Sequence, residues 1–146
     1  MRNWTNVRRE KVEQWLKKAK ADLSLGDWVI QIDWEGNPDT AYDGTGEPNA
    51  IATMLHHPDS KHATLSISRR FLEFEGSTQR QILTHELVHC HLFGLHAFAE
   101  NNMKLLSPKG NKPLKKVLIM NLDSQVESVT DALADVLAPL LPEIEI

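Results

Sequence analysis

The chain reads Thr84-His85-Glu86-Leu87-Val88-His89-Cys90-His91 near its middle, and this stretch contains the pattern H-E-x-x-H. A helix turns by about 100° per residue, so the side chains of His85 and His89 project from one face about one turn apart. Two imidazoles placed in this way can bind one metal ion. Glu86 lies next to the first histidine, where its carboxylate can reach water beside the ion without being a ligand. The pattern therefore predicts a metal site with an adjacent base.

Residues 78–95 are predicted to form the helix that carries this pattern. The run contains no proline, follows a Gly-Ser pair, and begins with Thr78 followed three positions later by Gln81, which is the arrangement of a capping box. Its apolar residues lie all round the helix, which indicates burial on every side. The two histidines and the glutamate would then be polar groups in the interior, and a bound metal ion would satisfy them.

The whole chain has the length and composition of one soluble domain, residues 1–146, with a formal net charge of -4. Basic residues are scattered, so no nucleic-acid partner is expected. The N-terminus lacks the apolar core of a signal peptide, and the longest charge-free run, residues 87–99, is too short to span a bilayer. We therefore expect a cytoplasmic protein without a membrane partner. The single cysteine, Cys90, is interpreted as a core residue, and the sequence leaves the oligomeric state open.

The order of the predicted elements indicates an α+β fold. Residues 7–25 have the apolar spacing of a surface helix that ends at Gly26. Residues 27–34 alternate apolar and polar side chains as a half-buried strand does. The remaining predictions are a loop at residues 35–48 and two strands, residues 49–57 and 62–68, joined by a hairpin-like turn at residues 58–60.

The second half of the chain is predicted to be mainly helical. Residues 97–112 are rich in Asn, Pro and Lys and are predicted to form a long loop, with a short helix in its first half. From Pro113 onward apolar residues recur in steps of three and four. Residues 121–124 are weak helix formers, so the pattern allows either one bent helix or a second helix beginning there. Both alternatives place Glu127 early in a long C-terminal helix.

A third ligand is required, because a catalytic zinc ion has three protein ligands and one open position. The downstream candidates are His96, Glu100, Asp123, Glu127, Asp131 and Asp135. His96 shares the helix face of the two predicted ligands, but it lies about 10 Å beyond His89 along a straight helix. It could join them only if Gly94 ended the helix, and it remains an alternative third ligand.

The motif H-E-x-x-H at residues 85–89, followed by E-x-x-x-D at residues 127–131, resembles the zincin metallopeptidases of the gluzincin type, which include thermolysin. In that group the Glu of the second motif is the third zinc ligand, and its Asp hydrogen-bonds the first zinc histidine. The resemblance implies Zn²⁺ bound by His85, His89 and Glu127, with Asp131 behind His85 and Glu86 as general base. Glu127 and Asp131 would share one helix face.

The resemblance implies a minimal zincin-like domain. The two motifs are separated by 37 residues, more than in thermolysin, and the chain is far smaller than that enzyme. We expect an N-terminal helix, a small sheet of three or more strands, the central H-E-x-x-H helix and a C-terminal helix carrying the third ligand. Compact phage and bacterial metallopeptidase domains have a similar layout. The metzincin pattern fails, because Leu92 and Leu95 stand where it requires Gly and His.

The implied activity is zinc-dependent hydrolysis of peptide bonds in a peptide or protein substrate, with Glu86 transferring a proton from water to the leaving amine. The substrate is expected to add as a strand to a sheet edge, which we assign to residues 63–68. The candidates for a hydrogen-bond donor to the oxyanion are Tyr42, His56, His57, His62 and His96.

Two other classes of function compete with this interpretation. One is a non-catalytic, zinc-stabilised protein-binding module of the same fold, of phage origin. The other is a DNA-associated SprT-like protein. The acidic net charge and the lack of a set of zinc-ribbon cysteines argue against the second class.

Overall fold

The fold is α+β: three α-helices surround a small three-stranded mixed sheet in the part of the chain that the structure describes. The structure is a computed structural model and describes residues 3–34, 50–57, 60–106 and 112–146. The helices are α1 (Asn6–Asp22), α2 (Gly76–Leu106) and α3 (Lys112–Leu137), and the strands are β1 (Val29–Asp33), β2 (Ala52–His56) and β3 (His62–Ile67). Short 3₁₀ helices occupy Arg69–Glu73 and Ala138–Leu140.

Helix α1 packs one apolar face on the core, as its residue spacing predicts, and buries Val12, Trp15, Leu16 and Ala19. It ends at Asp22, before the predicted Gly26. The backbone N–H of Leu25 bonds the carbonyl of Lys20 at 2.7 Å, and that of Ser24 bonds Ala21 at 3.1 Å. This is a Schellman motif, in which Ser24 takes the left-handed conformation with φ 56°.

The sheet has the order β1-β3-β2, with β1 parallel and β2 antiparallel to β3. The predicted antiparallel pairing of the second and third strands is confirmed. The assignment of residues 63–68 to a sheet edge is wrong, because β3 is the central strand. Ser66 of this strand is only 5% exposed. Among the described strands, β1 and β2 are at the edges.

Helix α2 is a single helix of 31 residues, longer than the predicted residues 78–95. The short helix predicted in the first half of the loop is helical in the structure, but it continues α2 through residues 97–106 and no loop precedes it. This segment is rich in Ala, Met, Leu, Lys and Glu and contains no glycine or proline, so no residue stops the helix. The isolated Gly94 does not end it either, so His96 keeps its helical position.

Helix α3 runs without interruption through residues 121–124, so the alternative of a second helix is wrong. Glu127 consequently lies in the second half of α3 and not early in it. The helix packs chiefly on α2, and its buried residues are Thr130 and Ala134. No helix in the described part of the chain is long and apolar enough to cross a membrane.

The segment after α3 returns to the core, which the sequence did not predict. Leu141 and Ile144 are buried. The indole N–H of Trp15 donates to the carbonyl of Pro142 at 2.7 Å, and Arg80 donates to that of Leu141 at 2.9 Å. This segment therefore ties α1 to the beginning of α2, the helix that carries the H-E-x-x-H motif.

Candidate metal centre

Helices α2 and α3 bring three predicted ligands together: His85, His89 and Glu127. The Nε2 atoms of the two histidines are 3.1 Å apart. Glu127 Oε2 lies 3.4 Å from His85 Nε2, and Glu127 Oε1 lies 3.4 Å from His89 Nε2. Among the described residues, these three form the only group of His, Cys, Asp or Glu side chains close enough to share a metal ion.

These separations suit a small tetrahedral ion. Ligands at about 2.0–2.1 Å from zinc with tetrahedral angles lie roughly 3.3–3.4 Å from one another. The two Nε2 atoms, 3.1 Å apart, are close to this value, and each lies 3.4 Å from one oxygen of Glu127, Oε2 for His85 and Oε1 for His89. Two imidazoles and one carboxylate also form a donor set that zinc accepts, with a fourth position left for water or substrate.

Asp131 fixes the orientation of His85. Its Oδ1 atom lies 2.9 Å from His85 Nδ1, on the side of the ring opposite Glu127. A ring that donates Nδ1–H to a carboxylate presents the lone pair of Nε2, which is the form that binds metal ions. The E-x-x-x-D spacing achieves this arrangement because residues four apart share one face of α3.

Glu86 is buried beside the three candidate ligands, with 8% of its surface exposed. Burial raises the pKa of its carboxyl to about 8, and the nearby charge of Glu127 adds to this rise. The charge of His85 and a backbone hydrogen bond from Met54 act in the opposite direction and lower the pKa. A divalent cation nearby would favour the ionised form. The carboxyl therefore can hold or release a proton near neutral pH.

The candidate ligands also influence one another's protonation. Burial alone would lower the pKa of His85, but its hydrogen bond to Glu127 and the surrounding carboxylates raise it. Burial lowers the pKa of His89 despite the charge of Glu127. The hydrogen bond to His85 and the charges of the nearby histidines hold the pKa of Glu127 below its usual value despite its partial burial. A carboxylate beside two imidazoles is thus available as an anionic ligand.

A cavity of about 660 Å³ opens in front of these residues. Strand β2 supplies one wall through Ala52 and Met54, and the two helices supply Leu92, Phe93 and Val126. This volume is in the range of sites that bind small molecules or short peptides. Sequence patterns did not identify these wall residues, because their positions depend on how the sheet packs against α2.

The other candidate site residues differ in whether they line this cavity. His96 lines the cavity, but its Nε2 lies 2.9 Å from Asp123 Oδ1 and does not join the three candidate ligands. His56 lines the same cavity and stacks on Phe93, with 4.5 Å between ring centroids. His57 and His62 are exposed and do not line it. Tyr42 and the loop at residues 35–48 lie outside the described residues.

Cys90 is buried, in agreement with its interpretation as a core residue. Burial raises the pKa of its thiol to about 12. Cys90 does not belong to the group of candidate ligands formed by His85, His89 and Glu127.

We compared the chain with family models, curated proteins and solved structures, and none matches it. A proposal about function therefore depends on the geometry of the site itself.

Proposed function

We propose that the protein is a zinc-dependent peptidase of the zincin type. His85, His89 and Glu127 would hold the ion, Asp131 would orient His85, and Glu86 would be the general base. The observation that carries this proposal is the meeting of two Nε2 atoms, 3.1 Å apart, with the Glu127 carboxylate, which places one oxygen 3.4 Å from His85 Nε2 and the other 3.4 Å from His89 Nε2. This group lies in the wall of a large cavity, beside a buried carboxyl group.

The proposed reaction is hydrolysis of an amide bond. Zinc, when bound, supplies a Lewis acid that acidifies water and polarises a carbonyl group. Glu86 accepts a proton from the attacking water as its oxygen bonds to the carbonyl carbon. The same carboxyl then gives this proton to the nitrogen as the carbon–nitrogen bond breaks, which leaves a carboxylic acid and an amine. The Met54 N–H holds the Glu86 carboxyl in place.

The edge strand β2 offers a place for a peptide substrate. Ile51 and His57 direct their backbone hydrogen bonds toward β3 and its ends. Because backbone groups alternate along a strand, those of Ala52, Met54 and His56 point away from β3, and of these the Met54 N–H already donates to Glu86. An extended peptide could add there as a further strand, next to the metal site. We propose β2 as the docking edge in place of residues 63–68.

The hydrolysis proposal can be tested on zinc-loaded protein with fluorescein-labelled casein, an unstructured polypeptide. Glu86→Gln should reduce turnover by about a hundredfold or more, while the zinc content remains unchanged. The control Glu13→Gln alters an exposed glutamate of α1 and should leave both quantities unchanged. Equal turnover by the Glu86→Gln variant would refute the mechanism. Zinc binding without turnover in the native chain would favour the non-catalytic binding module.

The ligand assignment has its own test. Competition with a chromogenic chelator should show that Glu127→Ala weakens zinc binding strongly, because it removes one of three protein ligands. His96→Ala should leave zinc affinity close to native, since its ring pairs with Asp123. The opposite ranking of these two variants would establish His96 as the third ligand and contradict Glu127.

A further inference from the structure

His96 and Asp123 form a second histidine–carboxylate pair in the cavity, and the proposed reaction does not use it. The pair joins α2 to α3 through the contact of 2.9 Å between His96 Nε2 and Asp123 Oδ1. Both side chains line the same cavity as the three candidate ligands. Because His96 is held in a helix by residues on both sides, its ring has a fixed place beside Asp123.

The pair presents hydrogen-bond acceptors to the cavity. When the imidazole donates Nε2–H to Asp123, the neutral ring keeps a lone pair on Nδ1. A carboxylate has about four acceptor positions, and the contact with His96 uses one of them. The side chain of Asp123 is 52% exposed, so a ligand can reach it. A group that brings N–H donors therefore fits this place better than an acceptor does.

The charge of the cavity also favours a ligand that brings N–H donors. None of the described residues that line it is a lysine or arginine, whereas three are acids other than the buried Glu86: Asp123, Glu127 and Asp131. A bound divalent cation offsets two of these negative charges at most. A cleft lined by one sign of charge attracts ligands of the opposite sign. Glu127 and Asp131 contact the candidate ligand histidines, whereas Asp123 contacts His96, so Asp123 is the acid that is left for a cationic ligand.

The distance along α2 between His89 and His96 indicates how far this pair lies from the bond that would be cleaved. His96 follows His89 by seven residues, which corresponds to about 10 Å of helix. An extended peptide advances about 3.3–3.4 Å per residue, so this length spans roughly three residues. A substrate strand that passes the metal site would bring a side chain two or three residues from the scissile bond close to Asp123.

We propose that the pair of His96 and Asp123 is a specificity site for a basic side chain, lysine or arginine, two or three residues from the cleaved bond. Asp123 contacts the ammonium or guanidinium group, and His96 positions Asp123. The substrate class is thus a peptide segment with a positive charge at a defined distance from the bond. This inference rests on the proposed function in placing a peptide in the cavity.

The experiment measures binding without turnover. Zinc-loaded Glu86→Gln protein is titrated with fluorescein-labelled alanine-based peptides that contain one phenylalanine and either one lysine or its neutral analogue norleucine. The lysine is moved through each position, and binding is followed by fluorescence anisotropy. At one position, lysine should bind about two- to fivefold more tightly than norleucine, the range for a partly exposed charge pair.

Three further variants, each made in the Glu86→Gln protein, identify the responsible residues. Asp123→Asn keeps the shape of the side chain and should remove most of the lysine preference, and His96→Gln should reduce it. The control Asp22→Asn removes an exposed acid of α1 and should leave the preference unchanged. Absence of a lysine preference at every position, including absence of any binding, would overturn the inference. A preference that survives Asp123→Asn would overturn it as well.

The outcomes separate this inference from the proposed function. A lysine preference that depends on Asp123, together with no casein hydrolysis by the native chain, would support the specificity site and refute the peptidase. Hydrolysis that depends on Glu86, together with equal binding of the lysine and norleucine peptides, would support the peptidase and refute the specificity site.

Discussion

The stability of the metal-free protein should fall as the pH rises because of the buried Glu86. Replacement of this residue by glutamine should remove that loss. The fold buries this carboxyl, and burial raises its pKa to about 8. In the unfolded chain the same group titrates near its ordinary value of 4.5. Between these two values the folded protein keeps a proton that the unfolded chain releases. Unfolding is therefore favoured more strongly as the pH rises through this interval.

The magnitude follows from the two pKa values. The gap between 4.5 and about 8, at about 1.4 kcal/mol per pH unit, gives a loss of at most about 5 kcal/mol. The loss is absent below pH 4.5 and complete above about pH 8, where both states are ionised. Domains are stable by only about 5–15 kcal/mol, so a loss of this size is a large share of the total.

The assay is urea unfolding in the presence of a chelator, followed by the fluorescence of the buried Trp15 and Trp28. The free energy of unfolding of Glu86→Gln minus that of the native chain should increase by several kcal/mol between pH 5 and pH 9, with about 5 kcal/mol as the upper limit. Titration of groups that do not interact with Glu86 cancels in the difference, whereas His85, whose pKa Glu86 helps to raise, still contributes to it. A difference that stays constant across this range would refute the assignment of a buried, proton-holding carboxyl.

Three further predictions concern other parts of the molecule. Asp131→Asn should weaken zinc binding by about ten- to a hundredfold in chelator competition, since it removes the partner of His85. The control Asp135→Asn should have no effect, and equal effects of the two variants would argue against an orienting role of Asp131. Gly76→Ala should lower the free energy of unfolding by about 1–3 kcal/mol, because a methyl group there would overlap the carbonyl oxygen of Ile144; a neutral result in urea unfolding would mean that this segment moves freely. Ser24→Gly should raise the melting temperature, with a gain of about 0.5–1 kcal/mol, because glycine adopts a positive φ without strain; a lower melting temperature would contradict the strain.

Local patterns predicted the elements that carry the site. The four-residue spacing within each motif places its two outer residues on one helix face, and this depends only on helix geometry. The apolar face of α1 and the three strands were predicted for the same reason. The encounter of Glu127 with His85 spans a long stretch of chain, and only the resemblance to zincins implied it. Metal binding by these residues stays a prediction.

Features that depend on non-local packing could not be predicted from local sequence patterns. The alternating residues of β3 are compatible with a central or an edge position. The sequence therefore did not determine the observed strand order β1-β3-β2. The return of Leu141 and Ile144 to the core has no periodic signal. The length of α2 was underestimated because Asn and Lys were interpreted as loop residues, although the segment contains no helix breaker.

If zinc binds between α2 and α3 as proposed, the lifetime of the protein would depend on the supply of zinc. The buried residues of α3, Thr130 and Ala134, are small, while Val129, Leu133 and Val136 are exposed. A metal ion held between α2 and α3 would add binding energy to the contact between these helices. In a cell starved of zinc, we expect this contact to loosen and α3 to become more accessible to proteases. The amount of protein would then follow the metal content of the cell without a separate sensor.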